Sequence, residues 1–202
     1  MSPGSSLERR RRICVFSGSS AGISGAYERA ARALGKRLAQ GGIDLVYGGA
    51  AVGLMGAIAD ATLAEGGHVT GVIPQALVDK EVAHRGLTEL HIVNSMHERK
   101  AMMADLSDGF IAMPGGIGTF EELFEVWTWA QLGSHAKPCA LLNILGFYDR
   151  LLEFLGHVVG QGFLKKVHRD MLIVEEDPAA LLHAMAQYKA PAVGKWIGRG
   201  ER

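Results

Sequence analysis

Short apolar runs alternate with longer amphipathic stretches along most of the chain. The apolar runs stand between glycines, prolines and polar residues, a pattern typical of buried β-strands. Strands are predicted at Ile13–Ser17, Ile43–Tyr47, His68–Ile73, Glu89–Val93, Gly109–Met113, Pro138–Ile144 and Met171–Val174. The stretches between them have helical spacing, and helices are predicted at about Ala26–Gln40, Gly53–Glu65, Met96–Leu106, Thr119–Leu132, Phe147–Val159 and Pro178–Tyr188.

This alternation predicts the α/β class: one doubly wound, Rossmann-like domain with a mostly parallel sheet covered by helices on both faces. The 202 residues suffice for a single domain with a substantial core. We expect residues 13–188 to form a nucleotide-binding catalytic domain between a polar tail, 1–12, and a C-terminal tail, 189–202. In such sheets ligands bind beyond the carboxyl ends of the strands.

Composition narrows the classes of function. Lys and Arg total 21, as do Asp and Glu, so the formal net charge is zero. A neutral chain is a poor candidate for binding nucleic acid or a membrane surface. Without a long apolar run or a signal-peptide core we expect a cytoplasmic protein. Cys14 and Cys139 lie in strand patterns, so buried, reduced thiols are expected.

The segment that follows the fifth predicted strand carries the strongest chemical signal. It reads Pro-Gly-Gly-Ile-Gly-Thr at residues 114–119 and leads into an apolar helix. Glycines allow a ligand to approach the backbone closely, and a helix N-terminus presents free N–H groups and a positive dipole end. A phosphate site is therefore predicted, with a purely structural turn as the alternative. The spacing matches neither the dinucleotide-binding fingerprint nor a Walker loop.

Charged residues that follow strand ends supply candidate catalytic groups. Arg99 falls in the first turn after strand four, and Glu121 and Glu122 in the first turns after strand five. Each alone is typical of a solvated helix surface, but their joint position at one edge of the sheet favours a shared cleft. A carboxylate can stabilise an oxocarbenium-like carbon or orient water, and an arginine can hold an anionic group. We expect glycosidic chemistry on a phosphorylated sugar.

Neither a metal nor an organic cofactor is predicted. The eight histidines show no metal-ligand spacing, and His97-Glu98 lacks the second histidine of a zinc helix motif. Lys100 could form a Schiff base, but nothing in the sequence singles it out for that role.

The helix that follows the glycine loop is apolar on more than one face. It carries two tryptophans, Trp127 and Trp129, besides several phenylalanines and leucines. Such a helix packs on the sheet and on something else, and a second copy of the chain is the simplest candidate. We therefore predict a homodimer; deep burial inside a monomer is the alternative.

These motifs resemble the Lonely Guy family of cytokinin riboside monophosphate phosphoribohydrolases. The resemblance lies in Pro114-Gly115-Gly116-x-Gly118-Thr119-x-x-Glu122, which matches the family motif fully, and in Arg99-Lys100 upstream. It extends from Ile13 to about Leu182. It implies hydrolysis of the bond between a prenylated adenine and ribose 5′-monophosphate, without a cofactor. Related sequences often carry a lysine decarboxylase label, which we discount because such chemistry needs an electron-sink cofactor.

The resemblance also assigns roles to residues. It implies Arg99 and Glu122 as the catalytic pair. It implies substrate contacts for both and for Glu81, Lys100, Gly115, Gly116, Ile117, Gly118, Thr119 and Thr128. Thr128 lies six residues beyond Glu122, roughly 240° around the helix axis, so it should not face the same cleft. We expect it to serve the active site of a partner subunit.

Two other functions stay open at this stage. One is a nucleoside-monophosphate hydrolase of broader specificity that acts on plain AMP. The other is a nucleotide-binding carrier or sensor without turnover, since a fold does not fix a function. A pure binder would not require the pair of Arg99 and Glu122.

Overall fold

Seven strands form a single sheet in the computed structural model, which describes residues 9–78, 80 and 82–192. The strands are β1 (Arg12–Phe16), β2 (Asp44–Tyr47), β3 (Val69–Pro74), β4 (Glu89–Val93), β5 (Gly109–Ala112), β6 (Cys139–Leu142) and β7 (Leu172–Glu175). Their order across the sheet is β4-β3-β2-β1-β5-β6-β7. Every neighbouring pair is parallel, which confirms the predicted α/β fold.

Helices cover both faces of this sheet. They are α1 (Gly25–Gln40), α2 (Gly53–Ala64), α3 (Gln75–Val78), α4 (Met96–Leu106), α5 (Ile117–Gln131), α6 (Asp149–Gly160), α7 (Lys166–Arg169) and α8 (Pro178–Gln187). The sequence pattern missed α3 and α7, because a four-residue helix is too short to show a helical period. The other elements agree with the prediction within a few residues.

The central strands are apolar and buried on both faces, as expected for a parallel sheet. One buried cluster packs α4 and α5 on one face, and another packs α1 and α2 on the other. Cys14 and Cys139 lie in the sheet as buried free thiols, which confirms that expectation. None of the helices in the described part of the chain is long and apolar enough to cross a membrane.

The apolar surface of α5 is largely covered within one chain. Trp127 and Trp129 are both buried, and the Nε1 of Trp127 donates to the carbonyl oxygen of His168 at 3.0 Å. Phe120 and Phe124 pack against the same core cluster. The helix therefore fits the alternative of burial inside a monomer, and its apolar pattern gives little support to the predicted homodimer.

The strand order reverses between β1 and β5. The chain builds the sheet from β1 through β4 in one direction and then returns to add β5 on the other side of β1. The loops after these two strands are in contact, since Gly18 N donates to Pro114 O at 3.1 Å. A Cβ on Gly18 would lie 3.3 Å from the Cα of Gly115, so the close approach favours glycine. Ligand sites in open α/β sheets form at such a reversal.

The end of the predicted N-terminal tail is attached to the sheet. Arg9 pairs with Asp108, and the backbone N–H of Arg12 donates to the Asp108 carboxylate at 2.8 Å. β1 therefore begins one residue before the predicted domain boundary. Trp196, for which the sequence predicts no position, lies outside the described residues.

Candidate active site

A cleft of about 450 Å³ opens beyond the carboxyl ends of the strands. It is bordered by the loops after β1 and β2, the first turns of α4 and the glycine loop that leads into α5. Its lining includes the apolar side chains Met55, Leu77, Val82 and Met96 and the charged side chains Arg99 and Glu122. The cleft therefore offers apolar contacts for a ring system beside a pair of charges.

The glycine loop forms one wall of the cleft. Gly116 is the N-cap of α5, and no side chain caps the helix there. The first N–H groups of a helix have no partner within the helix, so an anion in the cleft can accept hydrogen bonds from them. Ile117, Gly118 and Thr119 line the cleft beside Gly116.

The three glycines of this loop have different surroundings. A Cβ on Gly115 would overlap the side chain of Thr119, so Gly115 allows the loop to close on itself. A Cβ on Gly116 or Gly118 would meet nothing within 4 Å. The missing side chains of Gly116 and Gly118 are therefore not required by the packing described here, and they leave space open to a ligand.

Arg99 is placed by the start of α4. The helix is capped by Ser95, whose Oγ accepts from the N–H of Glu98 at 3.1 Å. The guanidinium then crosses above the end of β2, where a Cβ on Gly48 would overlap its Nη2 and lie 2.5 Å from Met55 Cε. Gly48 thus makes room for Arg99, a role that its position after a strand did not reveal.

Arg99 and Glu122 both line the cleft and lie close to each other. The Nη2 of Arg99 lies 3.5 Å from Oε1 of Glu122, and both side chains are only 10% exposed. A close charge-assisted hydrogen bond would measure about 2.8 Å. Burial raises the pKa of the Glu122 carboxyl to about 7, against the opposing effect of the Arg99 guanidinium. A carboxyl group in this state is suited to acid–base work near neutral pH.

A family model and several relatives match most of this chain. A family model described as "Possible lysine decarboxylase" matches residues 55–185. A probable cytokinin riboside 5′-monophosphate phosphoribohydrolase of Oryza sativa subsp. japonica is 50% identical over 188 residues, which are 93% of this chain and 83% of the relative. The cytokinin riboside 5′-monophosphate phosphoribohydrolase of Rhodococcoides fascians is 49% identical over 166 residues, 82% of this chain and 84% of the relative.

The chain belongs to the cytokinin riboside 5′-monophosphate phosphoribohydrolase family. Solved structures with a similar fold are more distant. A molybdenum cofactor binding protein of Rippkaea orientalis has a TM-score of 0.69 at 19% identity and covers 89% of this chain and 97% of its own. The Moco carrier protein of Chlamydomonas reinhardtii has a TM-score of 0.68 at 22% identity, with the same two coverages. At such identities the likeness extends to the fold alone.

Lys100 does not line the cleft. Its Nζ pairs with Glu121 and with Glu125, the latter at 3.2 Å. Partial burial opposes the charge of this amine, yet the hydrogen bonds to the two carboxylates leave its pKa raised. Lys100 is therefore held as a charged ammonium between α4 and α5.

The other described residues that were predicted to contact the substrate lie in different parts of the molecule. Thr128 is exposed and does not line the cleft, in keeping with its angular offset from Glu122 on α5. Gly115 borders a smaller neighbouring cavity of about 240 Å³, together with Tyr27 and Phe147. Glu81 lies outside the described residues.

Ser17 is a cleft residue to which the sequence assigned no role. It follows β1, lines the cleft and is 9% exposed. Its Oγ has no hydrogen-bond partner among the described atoms. Buried polar atoms normally have a partner, so a substrate atom is a suitable one. The sequence alone is equally consistent with a simple turn at residues 17–20.

Among the described residues, no three His, Cys, Asp or Glu side chains come together as a metal site would require. The absence of a metal from the reaction stays a prediction from sequence. The polar groups at the cleft are a guanidinium, carboxylates, hydroxyls and backbone N–H groups. Such a set can bind a phosphate, orient a sugar and exchange a proton.

Proposed function

We propose that this chain hydrolyses the N-glycosidic bond of cytokinin riboside 5′-monophosphates to free cytokinin base and ribose 5-phosphate. Relatives of that name match most of the chain at 46–50% identity. The observation that carries the proposal is the buried pair of Arg99 and Glu122 beside an open glycine loop. The pair supplies reactive charge, and the loop supplies an anion site.

The substrate phosphate binds at the N-terminus of α5, on the backbone of residues 116–119. Along an ideal helix the six residues from Gly116 to Glu122 span about 9 Å. This separation lets a phosphate rest at the helix end while the sugar reaches the carboxylate. The base then contacts apolar lining residues of the cleft, of which Met55 and Met96 offer soft, adaptable contact.

A single substitution tests this placement of the phosphate. Gly116→Ala adds a methyl group to space that is empty of protein. The fold should keep its melting temperature, while KM for the nucleotide and the dissociation constant of ribose 5-phosphate should rise at least tenfold. Gly156→Ala on α6, which also meets nothing within 4 Å, is the matched control and should change neither. An unchanged KM in Gly116→Ala would remove the phosphate from this loop.

The reaction breaks the bond between C1′ and the base nitrogen, and the oxygen of a water molecule bonds to C1′. The base leaves with the bonding electron pair and gains a proton, while the hydroxyl of the water remains on the sugar. Glu122 in its ionised form stabilises the positive charge that develops at C1′ and orients the water. Arg99 favours that ionised form and holds an anionic oxygen of the sugar phosphate.

The same geometry argues against decarboxylation of lysine. A lysine that forms a Schiff base is activated by a lowered pKa. Lys100, the lysine next to the catalytic pair, instead has a raised pKa and two carboxylate partners. Hydrolysis fits this site better than decarboxylation of lysine does, because the proposed reaction requires only water as co-substrate.

Substrate contacts of Glu81, Lys100 and Thr128 remain proposals taken from the family resemblance. We further propose a homodimer in the cytoplasm in which Thr128 reaches the cleft of the second copy, since it is exposed and points away from its own. Mixing a Thr128→Ala chain with a Glu122→Gln chain should then restore some intact sites. A mixture with no more activity than its components would count against the sharing.

The decisive experiment measures release of free base from AMP and from isopentenyl-AMP, side by side. Wild type and Glu122→Ala are compared at equal concentration. Release from the prenylated nucleotide that disappears in the variant supports both the reaction and the site. Release mainly from AMP keeps the chemistry and removes the cytokinin specificity. Tight nucleotide binding without release from either would point to a carrier or sensor.

A further inference from the structure

Tyr148 contacts the carboxyl end of β5, next to the glycine loop. The residue lies between β6 and α6 and is completely buried. Its hydroxyl donates to the carbonyl oxygen of Met113 at 2.6 Å. Met113 is the residue that joins β5 to Pro114 and the glycines, so the bond acts at the point where the chain leaves the sheet.

The hydrogen bond replaces a strand partner that has ended. The register between β5 and β6 stops at Ala112 and Leu141. On the other side, the N–H of Met113 still donates to the carbonyl of Phe16 at 2.9 Å. Met113 is thus fixed by β1 through its N–H and by Tyr148 through its carbonyl, although no strand pairs with it on the β6 side.

The ring of Tyr148 also contacts the far end of the loop. It packs edge-on against Phe120 in α5, with ring centroids 6.1 Å apart and an interplanar angle of 88°. One side chain therefore touches the residue before the loop and a residue in the first turn of the helix after it. The loop between them includes the glycine N–H groups assigned to the phosphate.

Tyr148 is itself rigidly held. Its backbone N–H donates to Oδ1 of Asn143 at 2.7 Å, and Nδ2 of Asn143 donates to Asp149 at 2.8 Å. Burial raises the pKa of the Tyr148 phenol, so the hydroxyl stays protonated and remains a donor across the working pH range.

We propose that Tyr148 is a positioning residue that sets the geometry of the phosphate-binding loop for the hydrolysis described above. The residue does not line the cleft. It acts through Met113 and Phe120, and its loss should weaken the binding of the phosphate group more than it slows the chemical step. This inference rests on the proposed function for its kinetic readout, but ribose 5-phosphate binding reports on it independently.

The test compares Tyr148→Phe with Tyr47→Phe. Both remove one hydroxyl from a completely buried tyrosine and keep the ring. The hydroxyl of Tyr47 has no hydrogen-bond partner in the described part of the chain, so Tyr47→Phe is the matched control. We expect Tyr148→Phe to raise KM for isopentenyl-AMP and the dissociation constant of ribose 5-phosphate about tenfold, with kcat within about threefold of wild type. Tyr47→Phe should leave all three constants unchanged.

A lower melting temperature with unchanged constants in Tyr148→Phe would overturn the proposal, since Tyr148 would then be merely structural. Equal losses in the two variants would overturn it as well. If Tyr148→Phe does not fold, Phe120→Leu keeps the hydroxyl bond and removes the ring contact, and it should raise the same two constants by a smaller factor. A folded Phe120→Leu with wild-type constants would then count against the proposal. If the wild-type protein released no base, the proposed function would be wrong. Binding of ribose 5-phosphate would still decide the role of Tyr148.

Discussion

Two neighbouring ion pairs between α4 and α5, one residue apart on each helix, differ in their surroundings. The inner pair joins Arg99 to Glu122 at 3.5 Å, with both side chains 10% exposed. The outer pair joins Lys100 to Glu121, whose side chain is 51% exposed, and Lys100 also pairs with Glu125, whose side chain is 23% exposed. The ammonium group of Lys100 has two carboxylate partners. The guanidinium of Arg99 and the carboxylate of Glu122 are shielded from water and lie farther apart than the partners of a close hydrogen bond.

This difference indicates a structural role for the outer pair and a chemical role for the inner pair. The outer pair links the two helices with water available to Glu121, and the hydrogen bonds of Lys100 outweigh its partial desolvation. The inner pair is buried, and its carboxyl has a pKa of about 7 rather than the ordinary 4.5. An ionised carboxylate kept in such surroundings is destabilised, a state found at active sites more often than in structural ion pairs. Changes to the inner pair should therefore affect kcat, and changes to the outer pair should affect kcat much less.

The largest expected effect is on the carboxylates themselves. Glu122→Gln should lower kcat by about 10²–10⁴-fold, the usual contribution of a positioned acid–base group, and leave ribose 5-phosphate binding almost intact. Glu121→Gln, the neighbouring residue of the outer pair, should lower kcat only a few-fold. Base release from isopentenyl-AMP measures both. Comparable losses in the two variants would erase the distinction between the pairs.

A smaller but still large effect is expected from Gly48→Ala. The new methyl group would overlap Nη2 of Arg99 and displace the guanidinium from the cleft. We expect kcat/KM to fall about 10–100-fold, as when a catalytic group is misplaced by about 1 Å. Far-ultraviolet circular dichroism should remain that of the wild type. Gly156→Ala is the control, and wild-type activity in Gly48→Ala would show that the position of Arg99 is not critical.

The pH profile of kcat/KM follows from the raised pKa of Glu122. The ionised form is the active one, so activity should rise with pH, about tenfold per unit below the midpoint, and level off above a midpoint near 7. The charge of Glu121 contributes to that raised pKa, so Glu121→Gln should move the midpoint to lower pH. The phosphate of the substrate titrates identically in both proteins. A midpoint that does not move would assign the profile to the substrate or to another group.

The smallest effect is expected from Lys100→Met. Loss of the ion pairs of Lys100 should lower the free energy of unfolding by about 1 kcal/mol, and high salt should reduce the difference from wild type. Urea denaturation at low and high ionic strength measures it. A loss of kcat as large as that of Glu122→Gln would place Lys100 in the catalytic machinery.

The sequence predicted the fold well because its signals are local and repeated. Apolar runs bounded by glycines, prolines or polar residues located the seven strands, and strand ends brought Arg99, Glu122 and the glycine loop to one edge of the sheet. The helical angle between Glu122 and Thr128 also predicted that these side chains face apart. By contrast, the partners of Lys100, the space that Gly48 leaves for Arg99 and the bond from Tyr148 to Met113 depend on distances across elements. No spacing along the chain encodes those distances.

The proposed phosphate site and Glu122 both belong to one rigid helix, α5. The distance between anion and carboxylate is therefore fixed by backbone geometry rather than by flexible side chains. A ligand anchored by its phosphate presents to Glu122 only the atom that lies at the matching distance. Under the proposed function, the enzyme therefore selects its substrate by the distance between the phosphate and the reacting carbon. A 5′-phosphate places the anomeric carbon next to Glu122, and a phosphate on another ribose hydroxyl does not.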